Sequence, residues 1–378
     1  MNDCELHRHL IDVPGSRAEL NTPVLILELR ALARNIARMA AFCVDKGVRL
    51  RPHVKTHKSP QIAGLQLRAG AIGMCCARLG EAEALVENGV VSGLLITSPI
   101  VSPPGIARLV SLNARTRGLM CVVDHPHNVE SLGRAFRQAG KQLELLVDVD
   151  PGFRRTGVPS MADAVKLFRD IRRHPCLHLV GVQFYCGRHQ HIKNYEERKA
   201  SVAERIQFAR EIVAALREDG ARIEIITGGG TGTHQIDAEL GFFSEIQAGS
   251  YVFMDSEYLD CDLTGDAVNP PYEASLMVDS CVISANTPGR VTLDAGVKAL
   301  STDTALPMLL AGAPMEAKYS FMGDEHGALL LDSGTLPGLG ERVTLVTPHC
   351  DPTVNLYSTY HVVEGDTLRA LWPIVGRA

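Results

Sequence analysis

The chain has 378 residues, of which 46% are hydrophobic and 21% charged, so it is long enough for a large globular domain and a smaller one. A formal net charge of -5 and an isoelectric point near 6.3 give no electrostatic reason to expect nucleic acid or an anionic membrane as a partner. No apolar run approaches the roughly 20 residues that span a bilayer. The N-terminus lacks a signal-peptide pattern, and the ten cysteines are dispersed without a CxxC pair. We therefore expect a cytoplasmic protein with reduced thiols.

Short apolar runs rich in β-forming residues alternate with amphipathic helices from about residue 22 to 255. The runs are nearly continuous in their apolar character, as in parallel strands that are covered on both faces. This alternation predicts an α/β fold, a TIM-type (β/α)8 barrel with its chemistry at the carboxyl ends of the strands. A doubly wound open sheet is the alternative, although no GxGxxG motif follows the first run. The predicted strands are 23–29, 48–54, 70–76, 93–98, 119–124, 143–150, 178–185 and 222–228, with a ninth apolar piece at 245–254.

After about residue 265 the pattern changes to short β-like runs that are separated by Pro, Gly and Asn turns, without convincing helices. We therefore predict a barrel over 22–262 and a smaller β domain over 263–378. Residues 1–21 have no partner in the barrel, and we expect them to pack with the β domain.

The segment RPHVKTHK (51–58) places Lys55 at the carboxyl end of the second predicted strand. In a barrel this position points into the mouth, where burial and neighbouring cations favour Schiff-base chemistry at an amine. The same pattern is also typical of a surface loop rich in Lys and His. Lys55 is therefore a candidate Schiff-base lysine, and the surface-loop interpretation stays open.

A glycine run, ITGGGTGT (226–233), follows the eighth predicted strand. Successive glycines let backbone N–H groups converge on an anion, and Thr231 and Thr233 add hydroxyl donors. The corresponding loops of many barrels bind phosphate, and QAGSY (247–251) follows one strand later. A flexible glycine turn is the alternative. No P-loop lysine is present, so a nucleoside triphosphate is not expected.

The β domain contains an H-x-D triplet in PHCDPTVN (348–355). On an extended strand His349 and Asp351 lie on the same face, and Cys350 points away. An imidazole and a carboxylate suit a hard or borderline divalent cation. The triplet also occurs often without a metal, so the two residues are candidate ligands only.

Two further segments follow predicted strands. In FYCGRHQHIKNY (184–195), Tyr185 is placed to stack on a cofactor ring, and His189 or His191 to act as a general base. In GFRRTGV (152–158), Arg155 is either a surface arginine or a permanent charge that is aimed into the site.

Together these segments resemble the fold-type III pyridoxal-phosphate enzymes of the D-threonine aldolase and D-serine dehydratase group, whose barrel is similar to that of alanine racemase. The likeness covers essentially the whole chain, in order, and its combination of motifs is highly specific. The matching segments are RPHVKTHK, GMCC (73–76), RTGV, TGGGTGT, QAGSYVFMD (247–255), LDAGVKA (293–299), DEHG (324–327) and PHCDPTVNL.

The resemblance implies that Lys55 bonds pyridoxal 5'-phosphate and that Arg155 lies at its pyridine nitrogen. It implies that His349 and Asp351 bind a divalent cation (Mn, Mg, Co or Zn), and that His191 takes a proton from the substrate. It also implies a homodimer, because family sites form between the barrel of one subunit and the β domain of another. The residues implied at or near the phosphate are Gly229, Gly230, Thr231, Gly249, Ser250 and Tyr258.

The implied activity is the metal-activated cleavage of a D-β-hydroxy-α-amino acid, such as D-threonine, to glycine and an aldehyde. Aldolases of this group have H-x-D at the metal and dehydratases have H-x-C, so Asp351 favours an aldolase. The alternatives are a D-serine or 3-hydroxyaspartate dehydratase that yields a keto acid and ammonia, and a non-enzymatic carrier of the cofactor. Such carriers resemble the barrel alone, so the β domain argues against a carrier.

Two departures from the aldolase pattern concern substrate choice. Cys186 stands where these aldolases have histidine, and Ala77 replaces a glutamine. Arg188 lies beside Cys186, and we hypothesise that it holds a second carboxylate, which would suit 3-hydroxy-D-aspartate.

Overall fold

The computed structural model describes residues 3–266 and 270–377. These residues form two compact units. We call residues 39–249, 261–266 and 376–377 the barrel unit, and residues 3–38, 250–260 and 270–375 the β unit. Within the described ranges, no helix has the length and apolar character needed to cross a membrane.

The first elements are helix α1 (Asp3–His7), strand β1 (Val24–Glu28) and helix α2 (Leu29–Lys46). The prediction that 23–29 is a barrel strand is wrong. β1 pairs antiparallel with residues 276–279 and parallel with residues 361–363, and so lies in the sheet of the β unit. Four of its five residues are buried. An apolar run that is covered on both faces has the same composition in either kind of sheet, so the sequence pattern did not distinguish them.

The barrel unit contains eight parallel strands, most of which pair with their neighbours in chain order. A β-bridge between His53 and Cys75 links the first strand region of this curled sheet to the next. The strands are β2 (Arg49–Leu50), β3 (Met74–Cys76), β4 (Leu94–Ile96), β5 (Met120–Val123), β6 (Leu143–Asp148), β7 (Leu177–Phe184), β8 (Ile225–Gly228) and β9 (Glu245–Ile246).

Helices follow these strands, and several begin at a side-chain cap. Ser59, Ser102 and Ser160 each accept a backbone N–H from the first turn of the following helix. Each cap sets the residue at which a loop ends and a helix begins. The caps therefore fix the lengths of the loops at the carboxyl ends of the strands. The helices are α3 (Pro60–Arg68), α4 (Leu79–Glu87), α5 (Pro103–Asn113), α6 (Pro126–Gln138), α7 (Met161–Arg172), α8 (Gly187–Gln190), α9 (Tyr195–Glu218) and α10 (His234–Leu240).

A buried ion pair joins two strand regions of the barrel. Arg51 donates through Nε and Nη2 to the two carboxylate oxygens of Glu245, at 2.8 and 2.9 Å. Both side chains are at most 5% exposed. A pair that is desolvated to this degree is costly to break, because the remaining charge would stay buried without its partner.

The β unit contains β1 and eight later strands, together with two short helices. These elements are β10 (Leu276–Thr287), β11 (Arg290–Leu293), β12 (Met308–Ala311), β13 (Lys318–Phe321), β14 (Gly327–Leu330), β15 (Arg342–Val346), β16 (Thr359–Glu364) and β17 (Thr367–Pro373), with helices α11 (Ser256–Leu259) and α12 (Cys350–Leu356). The nine strands form one sheet with the order β13-β14-β11-β10-β1-β16-β17, in which β15 pairs with both β10 and β12. The predicted α/β class, a parallel barrel sheet together with a smaller β domain, is confirmed. The sheet of the β unit is antiparallel except where β1 pairs parallel with β16.

The N-terminal segment contacts strands of the β unit. Arg17 donates to both carboxylate oxygens of Asp279 at 2.8 Å. The N–H of Leu368 donates to Ser16 Oγ at 2.9 Å. Residues 16 and 17 are therefore held against β10 and β17.

Candidate active site

Lys55 lies in a short 3-10 turn, Val54–Thr56, that follows β2. The strand itself is only two residues long, so the predicted strand 48–54 is too long at both ends. The side chain of His53 caps the turn and accepts the N–H of Lys55 at Nδ1, at 3.3 Å. The turn places Lys55 at the carboxyl end of the strand region, where the sequence analysis expected it.

A cavity of about 220 Å³ opens at this end of the barrel unit and is lined by Lys55. Arg155 and Tyr185, two other predicted site residues, also line it. The remaining lining residues are His53, Ala77, Thr97, Ser98, Thr156, Gln183 and Gln247.

Hydrogen bonds fix the tautomer of His53. Its Nδ1 accepts from the backbone, so the proton of the neutral ring is on Nε2. Nε2 lies 3.1 Å from Thr97 Oγ1, and that hydroxyl donates to the carbonyl of Cys76 at 3.2 Å. The imidazole is therefore oriented next to Lys55 by groups from β3 and β4.

Buried polar side chains form a network in the wall of the cavity. Gln183 donates through Nε2 to the carbonyl of Thr97 at 3.1 Å and to Asp148 Oδ1 at 2.9 Å. Gln247 donates to Gln183 Oε1 and to Thr227 Oγ1, both at 3.1 Å. Asp148, Gln183 and Thr227 occupy paired positions on β6, β7 and β8. The register of the parallel sheet thus brings them into one row.

Asp148 is the acidic member of this network. Burial raises the pKa of its carboxyl to about 6, against the smaller opposite effect of the hydrogen bond from Gln183. The sequence analysis missed this network, because isolated Asp and Gln residues inside apolar strands have no motif. Polar residues in strands that are otherwise buried on both faces were the available signal.

Two arginines flank aromatic rings, and one of them, Arg155, lines the cavity. The guanidinium carbon of Arg155 lies 5.4 Å from the Tyr185 ring centre and 5.8 Å from that of Phe153. The corresponding carbon of Arg188 lies 4.9 Å from the Phe153 ring centre. These are cation–π distances, so both guanidinium groups are held beside the rings.

The glycine loop after β8 is closed by its own hydrogen bonds. The N–H of Gly230 donates to Thr233 Oγ1 at 3.1 Å, and Thr233 in turn donates to Asp237 Oδ2 at 2.6 Å. The suggestion that Thr233 donates to an anion is therefore wrong, because its hydroxyl proton is committed to Asp237. Gly229 has a φ of +64°, and a Cβ there would lie 2.1 Å from Asp237 Oδ2. Gly229 and Gly230 thus shape the loop that carries Thr231.

The loop after β9 approaches the turn that contains Lys55. A Cβ on Gly249 would lie 2.7 Å from Thr56 Oγ1 and 3.1 Å from the carbonyl of His53. Thr56 is buried, and its hydroxyl has no hydrogen-bond partner among the described residues. An unpartnered buried hydroxyl beside a glycine backbone fits an anionic group. The sequence analysis did not single out Thr56.

The two candidate bases follow β7. His191 terminates α8 and is partly buried. His189 is 8% exposed, and burial, followed by the charge of Arg205, lowers the pKa of its imidazole. Neither histidine lines the cavity of Lys55.

The remaining predicted residues belong to the β unit. Ser250 begins a 3-10 turn, and Tyr258 lies in α11 and is 5% exposed. His349 is the N-cap of α12, and Asp351 lies in the first turn of that helix. The expectation of an extended strand at these two residues is wrong, and so is the argument that they share a strand face.

His349 has one side-chain contact of a kind that is common at histidine–metal sites. Its Nδ1 lies 2.7 Å from Asp303 Oδ2. A carboxylate on Nδ1 fixes the tautomer and directs the Nε2 lone pair outward, as in many histidine–metal sites. Over residues 3–266 and 270–377, however, no cluster of three potential His, Cys, Asp or Glu ligands is formed. The donor types fit a divalent cation, but the set is incomplete.

Family models match most of the chain. Residues 27–257 match the model described as alanine racemase, N-terminal domain, and residues 275–363 match a putative serine dehydratase domain. A D-threonine aldolase of Arthrobacter sp. is 37% identical over 95% of this chain and 93% of its own. A 3-hydroxy-D-aspartate aldolase of Paracoccus denitrificans is 34% identical over 97% and 94%.

A solved structure agrees with these matches. The crystal structure of a D-threonine aldolase from Filomicrobium marinum superposes with a TM-score of 0.91 and is 35% identical. It covers 95% of this chain and 96% of its own. The similarity thus extends over both units and is not confined to the barrel.

Proposed function

The chain belongs to the D-threonine aldolase and D-serine dehydratase family of pyridoxal-phosphate-dependent lyases, and we propose that it cleaves D-β-hydroxy-α-amino acids to glycine and an aldehyde. The observation that carries this proposal is the cavity in which Lys55, Arg155 and Tyr185 meet. The unpartnered hydroxyl of Thr56 beside Gly249 supports a phosphate site at the same end of the barrel.

Each barrel residue has a defined part in the proposal. Lys55 bonds the cofactor, and Tyr185 with Arg155 positions its ring. We assign Thr231, Gly249, Ser250 and Tyr258 to the binding of its phosphate. When bound, pyridoxal phosphate supplies an electron sink for the charge that develops when the Cα–Cβ bond breaks.

His191 takes the proton of the substrate's β-hydroxyl, directly or through water. Removal of this proton drives the electron pair of the O–H bond towards the carbonyl of the departing aldehyde. His189 is the weaker candidate, because burial already disfavours its charged form.

His349 and Asp351 would hold the divalent cation, with Asp303 orienting the imidazole. A cation there would act as a Lewis acid that lowers the pKa of the β-hydroxyl. The incomplete donor set is consistent with a site that water and substrate complete. In the same proposal the protein works as a homodimer in the cytoplasm.

A dehydratase is the second candidate. The match of residues 275–363 to a putative serine dehydratase domain favours it, because these residues include both proposed metal ligands. A dehydratase breaks the Cβ–O bond and yields a keto acid and ammonia, so the products distinguish the two reactions.

The test is a product assay on D-threonine and D-phenylserine with the purified protein, added pyridoxal phosphate and Mn²⁺. We expect equimolar glycine and aldehyde, and a strong loss of both after treatment with EDTA. A keto acid with ammonia would support the dehydratase, and the absence of glycine from every D-β-hydroxy-amino acid would contradict the aldolase.

A further inference from the structure

A second cavity of the barrel unit adjoins the cavity of Lys55. Its volume is about 460 Å³, compared with about 220 Å³ for the first. The two cavities share Ala77 and Ser98 in their walls. We propose that this second cavity, the β3–β4 groove, receives the substituent on Cβ of the substrate, and that this substituent is apolar, an aryl or branched alkyl group. The inference rests on the proposed function and deepens it.

Apolar side chains line the groove between the loop after β3 and the loop after β4. Leu79 is 6% exposed, whereas Val101 is 62% exposed at the rim. Pro99 and Ile100 lie between these extremes. A ligand that covers these side chains removes apolar surface from water, which is favourable in proportion to the area buried.

Polar groups at the two helix ends beside the groove already have partners in the protein. Glu81 Oε2 accepts the N–H groups of Ala77 at 2.7 Å and Arg78 at 3.4 Å. This carboxylate occupies the N-terminus of α4, so the helix end is not available to an anion. At α5, Ser102 Oγ accepts the N–H of Gly105 at 3.2 Å.

The arginines of the groove do not make it an anion site. Arg108 forms a bidentate pair with Glu83 at 3.0 and 2.5 Å, so its charge is neutralised. Arg78 is exposed to solvent, where a single charge–charge contact contributes little. An anionic substituent would therefore gain one screened contact and would cover apolar walls at a desolvation cost.

Small side chains form the wall that the two cavities share. Ala77 carries one methyl group, and Ser98 carries a side chain of nearly the same size. In our proposal, a substituent that starts at Cβ in the cavity of Lys55 extends past these two small side chains into the groove. A methyl group, as in threonine, extends least towards the groove, so D-threonine serves as the reference substrate.

The test compares D-phenylserine with D-threonine in the wild type and in Ile100→Trp, which fills the groove from a position outside the first cavity. We expect Ile100→Trp to lower the ratio of kcat/KM for D-phenylserine over D-threonine by at least ~10-fold, since a lost apolar subsite discriminates at this level. Val101→Trp should lower the same ratio less, because that side chain is at the rim. Val44→Trp adds the same bulk at a valine that is 84% exposed on α2, and it should leave the ratio unchanged.

A binding measurement separates this inference from the proposed function. D-Phenylalanine lacks the β-hydroxyl and cannot be cleaved in this way, so calorimetric titration of the holoenzyme with D-phenylalanine and D-alanine reports the groove alone. We expect Ile100→Trp to weaken D-phenylalanine binding at least ~10-fold more than D-alanine binding. If the wild type cleaves neither hydroxy-amino acid but this difference is found, the proposed function fails and the groove stands.

Three results would overturn the inference. The first is an unchanged substrate ratio in Ile100→Trp, and the second is equal weakening of both amino acids in calorimetry. The third is a selective loss of 3-hydroxy-D-aspartate cleavage in Arg78→Ala without an effect of Ile100→Trp on D-phenylserine, which would assign the groove to an anion.

Discussion

The barrel unit and the β unit each carry candidate functional residues, but these residues differ in burial and in hydrogen bonding. In the barrel unit, Asp148, Gln183 and Gln247 are at most 3% exposed and hydrogen-bonded to one another. In the β unit, the side chains of His349 and Asp303 are 24% and 50% exposed and form one pair. The polar groups of the barrel site are thus buried and held by one another, whereas the proposed metal ligands of the β unit lie among exposed side chains with fewer hydrogen bonds.

This difference has a physical reason. A cofactor that stays bound through many turnovers binds more tightly to a rigid, desolvated wall, because the side chains of that wall lose no further conformational entropy when they contact it. A cation that must also bind the substrate needs coordination positions that the protein leaves open. Changes at the buried polar groups of the barrel cavity should therefore affect cofactor retention, and changes at His349 and Asp303 should affect turnover with the cofactor still bound.

The largest effect is expected for Lys55→Ala. The variant should lose the near-visible absorbance of the lysine-bound cofactor and all detectable glycine release, because no other residue of the turn replaces the amine. Lys58→Ala is the matched control in the same segment. It should keep the absorbance but unfold at a lower temperature, because Glu81, which is 4% exposed, loses the ammonium group 3.0 Å away. Retention of the band in Lys55→Ala would contradict the assignment.

His349→Ala should reduce turnover by at least ~10²-fold while the cofactor absorbance stays, since it removes a metal ligand without touching the barrel cavity. Asp303→Asn should weaken the apparent affinity for Mn²⁺ by about 10- to 100-fold, as expected for the carboxylate behind a ligating histidine. His326→Ala, at an exposed histidine of the same unit, should change neither quantity. Turnover of His349→Ala at the wild-type rate would exclude this metal site.

Arg188 is not in the wall of the β3–β4 groove, so a carboxylate that it held would lie outside that groove. Arg188→Ala should reduce kcat/KM for 3-hydroxy-D-aspartate by about 10-fold more than for D-threonine, which is the size expected for a lost charged hydrogen bond. The matched control is Arg172→Ala, because Arg172 also stacks on a phenylalanine, at 5.7 Å, but lies on α7. An equal effect on both substrates would remove Arg188 from substrate selection.

The smallest effect concerns Asp237, behind the glycine loop. Burial raises the pKa of its carboxyl to about 7 in the folded protein, above the unfolded value near 3.9. The folded state therefore binds this proton more tightly than the unfolded state does. The contribution of the bound proton to the free energy of unfolding is lost as the pH rises from about 4 to about 7. Urea unfolding of Asp237→Asn should show a smaller loss over this range than the wild type. Asp45→Asn, at an exposed carboxyl, should show the wild-type slope.

The sequence was informative where chemistry depends on neighbours along the chain. Lys55, Arg155 and Tyr185 each follow a parallel strand, and the fold brings such residues to one rim, so they were found from order alone. The polar network in the cavity wall was not found, because Asp148, Gln183 and their partners become neighbours only through the register of the strands. β1 was misplaced because its buried apolar residues fit either sheet.

The proposed metal ligands were chosen by residue type, and the local structure that the sequence analysis expected for them was wrong. Cys350 begins a helix whose first turn includes Asp351, and the N–H of Cys350 donates to the buried Asp255 at 2.9 Å. The two residues of that contact are 95 positions apart in the chain, so no local sequence pattern predicts it. Asp303 was missed for the same reason, since it meets His349 across 46 positions.

The central claim is that Lys55 bonds the cofactor, and one measurement tests it directly. Borohydride treatment of the holoenzyme fixes the cofactor to the lysine that binds it, and peptide mapping by mass spectrometry then locates the label. We predict a single pyridoxyl group on Lys55 in the peptide that contains residues 51–58. A label on Lys58 or on any other lysine, with Lys55 unmodified, would contradict the account.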